Sequence, residues 1–278
     1  MSAYKGMGRY VLLYVVIAGV LAIFLFPFYW MAISGFRTPD TLFSSEPTLW
    51  PTEFSLEFYD RVMRGTSFWQ YTLNSLYIAV ASTALSLVVG TLGAYSVTRF
   101  DYFARRFVAR TFLFIYMFPP ILLVIPLFFI FKNLGLVDSY LGLILAYTTF
   151  SLPVILWLLS AFFRTIPEEI EEAGRVDGAG RMGVFFRIVL PLAAPGLAAA
   201  SVFAFLTAWN EYLFASILIN SNHLKTLPLG VAHYVSVEST KWGEAMSAAT
   251  LLSIPVFLFA AVVQRYLVAG LTAGSVKG

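Results

Sequence analysis

The chain has 278 residues, 59% hydrophobic and 12% charged, with a formal net charge of +3 and a mean hydropathy of +0.81. A soluble domain carries about 45–50% apolar and about 25% charged residues, so 18 basic and 15 acidic side chains are too few to clothe a water-facing surface. An ordinary soluble protein is excluded, and the absence of cysteine removes disulfides, thiolate metal sites and cysteine nucleophiles together.

The apolar excess is gathered into runs free of Asp, Glu, Lys and Arg over residues 10–35, 65–98, 111–131, 139–163, 188–210 and 245–264. Each is long enough to hold the ~20 residues with which a helix crosses a bilayer. Hydrocarbon offers backbone amides no water, so the runs are expected to be helical, and the alternating pattern of a membrane barrel is absent. The sequence therefore predicts an all-α polytopic membrane protein with six transmembrane helices. The first run follows Lys5 and Arg9 and, at 26 residues, exceeds the roughly 7–15 of a signal peptide; it is expected to stay as the first span. Pro119, Pro120 and Pro126 in the third span, Pro153 in the fourth and Pro255 in the sixth each remove a backbone donor. Bent or broken helices, of the kind that line transport cavities, are expected there.

With the N-terminus in the cytoplasm, 12 of the Lys and Arg residues fall inside and 6 outside, which selects cytoplasmic N- and C-termini by the positive-inside bias. The first outer loop agrees: between Arg37 and Arg64 it holds Asp40, Glu46, Glu53, Glu57 and Asp60.

Between spans four and five lies the inner segment Thr165-Ile-Pro-Glu-Glu-Ile-Glu-Glu-Ala-Gly-Arg-Val-Asp-Gly178. It predicts a short cytoplasmic helix, with Thr165 as cap, Glu168 as its capping-box partner and Pro167 in the first turn. Glu168, Glu169, Glu171 and Glu172 complement the positive end of the dipole, Arg175 sits toward the other end, and Gly178 terminates the helix. Ile170, Ala173, Gly174 and Asp177 share a face at helical spacing. Small groups there allow another surface close approach, and Glu169 and Glu172 beside them suit basic partner groups. A helix lying on lipid would carry Lys and Arg instead, so a protein partner is expected.

The run Glu172-Ala173-Gly174, three residues, Gly178, nine residues, Ile188, one residue, Leu190-Pro191 resembles the EAA loop of ATP-binding-cassette importer permeases, EAA-x3-G-x9-I-x-LP. Every spacing fits. Gly174 replaces the second alanine of that pattern, lowering helix propensity by about 0.5–1 kcal/mol while keeping the face small. The resemblance implies a type I importer fold in which Glu169, Ile170, Glu172, Ala173, Gly174, Asp177 and Gly178 belong to a coupling helix seated in a cytoplasmic ATPase. The ending Gly270-Leu-Thr-Ala-Gly-Ser-Val-Lys-Gly278 resembles that of the shorter permease of maltose/trehalose-type oligosaccharide importers, which implies that Ser275, Val276, Lys277 and Gly278 reach the ATPase dimer. The implied organisation is a tail, first span and outer loop over 1–70, a five-helix core over 71–268 with its EAA loop at 165–191, and a C-terminal tail over 269–278. The implied partners are a second, longer permease, two copies of an ATPase, an external sugar-binding protein and membrane lipid, with no nucleic acid. The implied location is the bacterial cytoplasmic membrane.

Glu211 is the ionisable residue set in an apolar stretch, beside Trp209, Asn210, Tyr212 and Phe214. A charge at the bilayer centre costs roughly 2.5–3.5 kcal/mol, so it should face a polar cavity or a partner group. Aromatic planes beside Asn and Glu suit a sugar, and Trp209-Asn210-Glu211 resembles a stretch common in sugar-importer permeases. Asn74, Trp209, Asn210, Glu211 and Tyr212 are therefore candidates for the substrate path. The alternative is an interfacial aromatic belt with Glu211 structural at a helix end. His223 and His233 lack companions at ligand spacing, and no metal site is expected.

None of Lys5, Lys132, Lys225, Lys241 and Lys277 follows the Gly-x4-Gly of a Walker A loop, so no cofactor is expected in this chain, and ATP and Mg are expected on the partner ATPase. The expected function is that of a non-enzymatic permease of an ATP-driven importer for a di- or oligosaccharide such as an α-glucoside. An ion-coupled secondary transporter would need more intramembrane charge than Glu211 and shows no apparent inverted repeat. An intramembrane enzyme would need paired catalytic groups within the spans.

Overall fold

The computed structural model describes residues 2–44, 48–65, 67–234 and 241–275, and their side chains apart from those of 2–9, 109, 113 and 265–275. The fold is mostly helical, with no strand among the described residues. The chain divides into two compact units, Met1–Phe68 with Val231–Ile254 and Trp69–Gly230 with Pro255–Gly278.

In the first unit, α1 (Ser2–Gly35) runs unbroken through Pro27 and is exposed from Tyr10 to Tyr29. Its end is held by α2 (Glu57–Gly65), whose Tyr59 hydroxyl donates to the Ala32 carbonyl at 3.1 Å. Arg61 bridges Glu57 at 2.5 Å and Glu244 at 3.3 Å. Arg37 is buried, with its guanidinium 5.1 Å from the Trp30 ring and a hydrogen bond to the Thr48 carbonyl.

The second unit is built on two long helices, α3 (Phe68–Arg99) and, after α4 (Arg105–Tyr116) and α5 (Pro120–Asn133), α6 (Tyr140–Thr165). Between spans in lipid there is little water to expel, so association depends on close packing. Gly90, Gly93 and Ala94 supply it on α3: a methyl group added at Gly90 would stand 2.5 Å from Ile155, and one at Gly93 3.2 Å from Leu156. The core continues through Leu159 and Phe163 of α6 to Val184 and Val189.

The short α7 (Glu168–Val176) follows a break at Ile166, whose extended backbone (φ −86°, ψ 118°) is what a following proline imposes. Next comes α8 (Arg181–Leu192), whose middle, Phe185–Val189, widens into a π-turn just before Pro191. Pro191 cannot donate to the carbonyl four residues back, and the wider turn lets Leu190 donate to Phe185 instead. The chain then bends by 74° into α9 (Ala194–Trp209) and continues through α10 (Leu213–Leu218) to α11 (Trp242–Ser275).

Four helical segments, Tyr10–Gly35, Phe68–Arg99, Tyr140–Thr165 and Trp242–Gln264, are each long and apolar enough to cross a bilayer, and counting the bent pairs α4/α5 and α8/α9 as one span each gives six. The prolines act unevenly. Pro119 and Pro120 break the third span, whereas α5, α6 and α11 continue without interruption through Pro126, Pro153 and Pro255, so of the bent or broken helices expected there only the first site is broken. Neighbouring groups in a packed bundle can re-satisfy the single carbonyl a proline frees.

Gly142, in the first turn of α6, sits under the Leu136 carbonyl: an added methyl group would stand 2.1 Å from that oxygen. Gly142→Ala must move backbone and is expected to lower the thermal midpoint of the purified chain, at a cost of about 1–3 kcal/mol. Gly183→Ala, where the nearest atom lies at an ordinary 3.7 Å, should leave the midpoint within error.

Candidate functional site

The acidic segment forms a helix, but not by the expected capping. Thr165 is the last residue of α6 and its hydroxyl donates to Phe162; α7 begins at Glu168 after Pro167, which makes no side-chain cap. The proline places the helix start two residues later than a Thr165 cap would. The C-terminus is as expected: Gly178 takes φ +87°, its N–H donates to the Arg175 carbonyl, and Ala179 N–H donates to Gly174, the paired bonds of a Schellman motif.

The helix faces two ways. Glu169, Ile170, Glu172, Ala173 and Asp177 are exposed, whereas Glu171 and Gly174 are buried against the rest of the chain. Gly174 therefore leaves the outward face assigned to it. A methyl group there would stand 2.4 Å from Ile188 Cδ1, so the two ends of the EAA-like motif pack on each other inside one chain. The overlapping atom ends a flexible side chain, and a turn of Ile188 would admit the alanine of the general pattern.

Glu171 meets Arg99 at the end of α3. Their side chains are each 8% exposed, with Arg99 Nε 2.5 Å from Glu171 Oε1, and the Tyr95 hydroxyl donates to Glu171 Oε2 at 2.8 Å. Arg99 Nη2 also donates to the carbonyls of Phe163 at 2.8 Å and Ile166 at 2.7 Å. These carbonyls at the end of α6 carry the negative end of its dipole, which a guanidinium satisfies well. One cation thus ties α3, α6 and α7 together, with Glu168 at 3.5 Å on its rim. The sequence reading missed this anchor. The available signals were Tyr95 and Arg99 one turn apart at the end of an apolar run, and Glu171 one turn before Gly174.

At the opposite end of α3 and α6, Asn74 accepts from Gln70 at 2.9 Å and the Tyr140 hydroxyl at 2.8 Å, and donates to the carbonyls of His223 at 2.8 Å and Lys225 at 2.9 Å. Its amide is fully used and buried. Trp209 is also buried, stacked on Phe205 at 5.7 Å. Neither offers surface to a substrate in this conformation, unlike Asn210 and Tyr212, which are exposed. Glu211 sits in the gap between α9 and α10, accepting from the N–H groups of Phe214 at 2.8 Å and Ala215 at 3.2 Å. It caps α10, and the buried Tyr147 hydroxyl lies beside its carboxylate without meeting hydrogen-bond geometry.

Near that end Asp138, at φ +57°, accepts from the Ser221 hydroxyl at 2.5 Å and from the N–H groups of Ser221 at 2.9 Å and Asn220 at 3.0 Å. These donors, the Ser221 hydroxyl first, hold its carboxyl below the ordinary value. No group of three or more candidate metal ligands occurs among the described residues. Val276, Lys277 and Gly278 lie outside the described residues, and Ser275 is described only as the end of α11.

A helical membrane subunit with broken spans and a separately anchored acidic helix has the construction of a type I importer permease. The chain belongs to the family of binding-protein-dependent transport system inner membrane components, whose model matches residues 83–273. It is 40% identical over 260 residues to the inner membrane ABC transporter permease protein YcjP of Escherichia coli (strain K12), covering 93% of each chain. It is 36% identical over 256 residues to the trehalose transport system permease protein SugB of Mycobacterium tuberculosis (strain CDC 1551 / Oshkosh), covering 91% of this chain and 93% of the relative. Its fold matches a bacterial ABC transporter involved in import of the acidic polysaccharide alginate, with a TM-score of 0.77, 21% identity, and coverage of 93% and 96% of the two chains. It is a multi-pass membrane permease subunit, not an ion-coupled transporter.

Glu171→Gln leaves the buried Arg99 with only the exposed Glu168 as counter-charge, at 3.5 Å, and is expected to cost about 3–5 kcal/mol. In a double-mutant cycle, Arg99→Met with Glu171→Met should cost less than the sum of the single changes, read from thermal midpoints in detergent. Additive losses would show that the two charges do not support each other.

Asp138 gives a pH-dependent prediction. Its folded value is lowered, so its stabilisation is present above its unfolded value, about 3.9, and is lost as pH falls through the folded value. Asn tolerates a positive φ, so Asp138→Asn isolates the charge. The variant should melt below wild type at pH 7, and the gap should close as pH falls below the ordinary carboxylate range.

Proposed function

We propose that this chain is one of two permeases in an ATP-driven importer that carries a di- or oligosaccharide, such as an α-glucoside, across a bacterial cytoplasmic membrane, with both termini in the cytoplasm. The observation that carries the mechanism is the two-faced α7. Its inward Glu171 and Gly174 are held by Arg99 and Ile188, and its outward face presents Glu169, Ile170, Glu172, Ala173 and Asp177. That acidic face docks on a basic groove of a cytoplasmic ATPase, two copies of which hold ATP and Mg and do the hydrolysis. Closure of the ATPases displaces α7, and the buried Arg99 passes the displacement to α3 and α6 together. The C-terminal residues Ser275, Val276, Lys277 and Gly278 contribute a second contact to the ATPase pair.

The sugar reading is supported by the trehalose permease relative and by the chemistry of Asn210, Glu211 and Tyr212 at the α9–α10 gap, where an exposed phenol ring lies beside a carboxamide and a carboxylate. An external binding protein delivers the sugar, and a second permease completes the path. Asn74 and Trp209 support that path from behind rather than touching the sugar in this conformation.

The test is reconstitution in proteoliposomes with candidate ATPase, second permease and binding protein. Sugar uptake and binding-protein-stimulated ATP hydrolysis are expected together, and Glu172→Lys should abolish the stimulation while the unliganded chain keeps its thermal midpoint. Uptake by this chain alone, or full coupling in the Glu172→Lys variant, would overturn the reading.

A further inference from the structure

A cavity of about 610 Å³ opens where α3 and α6 end and α4 begins, and no residue of α7 lines it. Arg105, Arg106 and Arg164 line it with Asp101 and Tyr102. Three guanidiniums against one carboxylate leave a net charge of +2. The carboxylate neutralises little, since Asp101 is fully exposed and reaches Arg105 only at 3.9 Å. Arg105 is oriented by a 2.8 Å hydrogen bond from Nε to the Val97 carbonyl, which fixes its fork at the cavity wall. Arg106 and Arg164 have no hydrogen-bonding or ionic partner among the described residues. The cavity also meets the first turn of α4, where Ala104 at the cap position offers no side-chain acceptor, so no side chain caps that positive helix end.

This chemistry selects an anion with several oxygens. Forked guanidiniums converging on a cavity match phosphate geometry. The volume is that of a small-molecule site, far larger than a phosphate ion requires. Phe103 and Phe107, both strongly exposed, stand beside these arginines. The site also lies at the polar ends of two membrane spans, where aromatic rings and phosphates share the interface.

We propose that this cavity is a binding site for the phosphate headgroup of an anionic phospholipid. Arg106 and Arg164 grip the phosphate oxygens, Arg105 flanks them, and the exposed phenylalanines lie along the glycerol and upper acyl chains. General attraction of interfacial arginines to a charged membrane would not need a cavity, and this alternative sets the control.

The full-length chain is purified in detergent, and retained lipid is counted by native mass spectrometry with added phosphatidylglycerol, cardiolipin or phosphatidylcholine. The wild type should retain one anionic lipid in preference to phosphatidylcholine, and Arg106→Gln with Arg164→Gln should weaken that retention by about tenfold or more. Arg106→Lys with Arg164→Lys, which keeps charge but loses the fork, should also weaken it. Arg110→Gln with Arg187→Gln removes the same charge from exposed positions outside the cavity and should leave retention unchanged. Equal loss in the cavity and control variants, wild-type retention in both cavity variants, or equal retention of phosphatidylcholine would overturn the proposal. Displacement of the lipid by millimolar inorganic phosphate would assign the cavity to a soluble anion and overturn the lipid assignment.

Discussion

The fold turns on a charge that cannot be left alone. Arg99 is buried at the end of α3, and removing a guanidinium from water costs several kcal/mol unless its donors are met. It has Glu171 on one side and two α6 carbonyls on another, so α7 is held to both long helices by the same group. A surface ion pair would contribute at most about 1 kcal/mol and could be lost without consequence. A buried pair resists separation, because opening it strands two charges. The acidic helix is therefore a rigid extension of the second unit rather than a loose loop.

That anchoring explains why the helix has two distinct faces. Four glutamates on nine residues would repel one another on a free helix. Here Glu171 is neutralised inward, Glu168 lies 3.5 Å from Arg99, Arg175 stands 3.7 Å from Glu172, and Glu169 is exposed. Gly174 lets the helix close on Ile188, and the Gly178 turn sends the chain back toward α8. The spacing between Gly174 and Ile188 in the motif is thus the length of chain needed to leave the helix, turn, and bring an isoleucine over the glycine.

Much of the fold was legible because the membrane restricts backbone so severely: six uncharged runs correspond to six spans, two of them bent. What failed was local. Thr165 followed by Glu168 has the spacing of a capping box, yet Pro167 forces Ile166 into extended backbone and moves the helix start. Gly174 looked outward because Ile170, Ala173 and Asp177 lie near it on a helical wheel, and only the partner of Glu171 fixes the rotation. Asn74 and Trp209 were polar or aromatic residues in plausible places, but sequence carries no record of whether an amide's donors are already spent. The Arg99 anchor was hard to see for the same reason: its hydrogen-bond partners lie 64 to 72 residues away, and the spacing of Tyr95, Arg99 and Glu171 does not by itself say that they meet.

The two long helices are joined at both ends, through Tyr140 and Asn74 at one and through Arg99 at the other. The separation of Asn74 from Arg99 along α3 is about 37 Å at ~1.5 Å per residue, so these locks span the thickness of a bilayer. Sliding one helix past the other would break buried hydrogen bonds at both ends, which makes α3 and α6 a single body. Bending falls instead where the helices already change direction, at Pro119 between α4 and α5 and at Ala193 between α8 and α9. Glu211 marks a third interruption, where its carboxylate, not a continuous helix, satisfies the N–H groups of Phe214 and Ala215. A push on α7 thus reaches a stiff pair of helices first, and the bending falls on the segments that flank it.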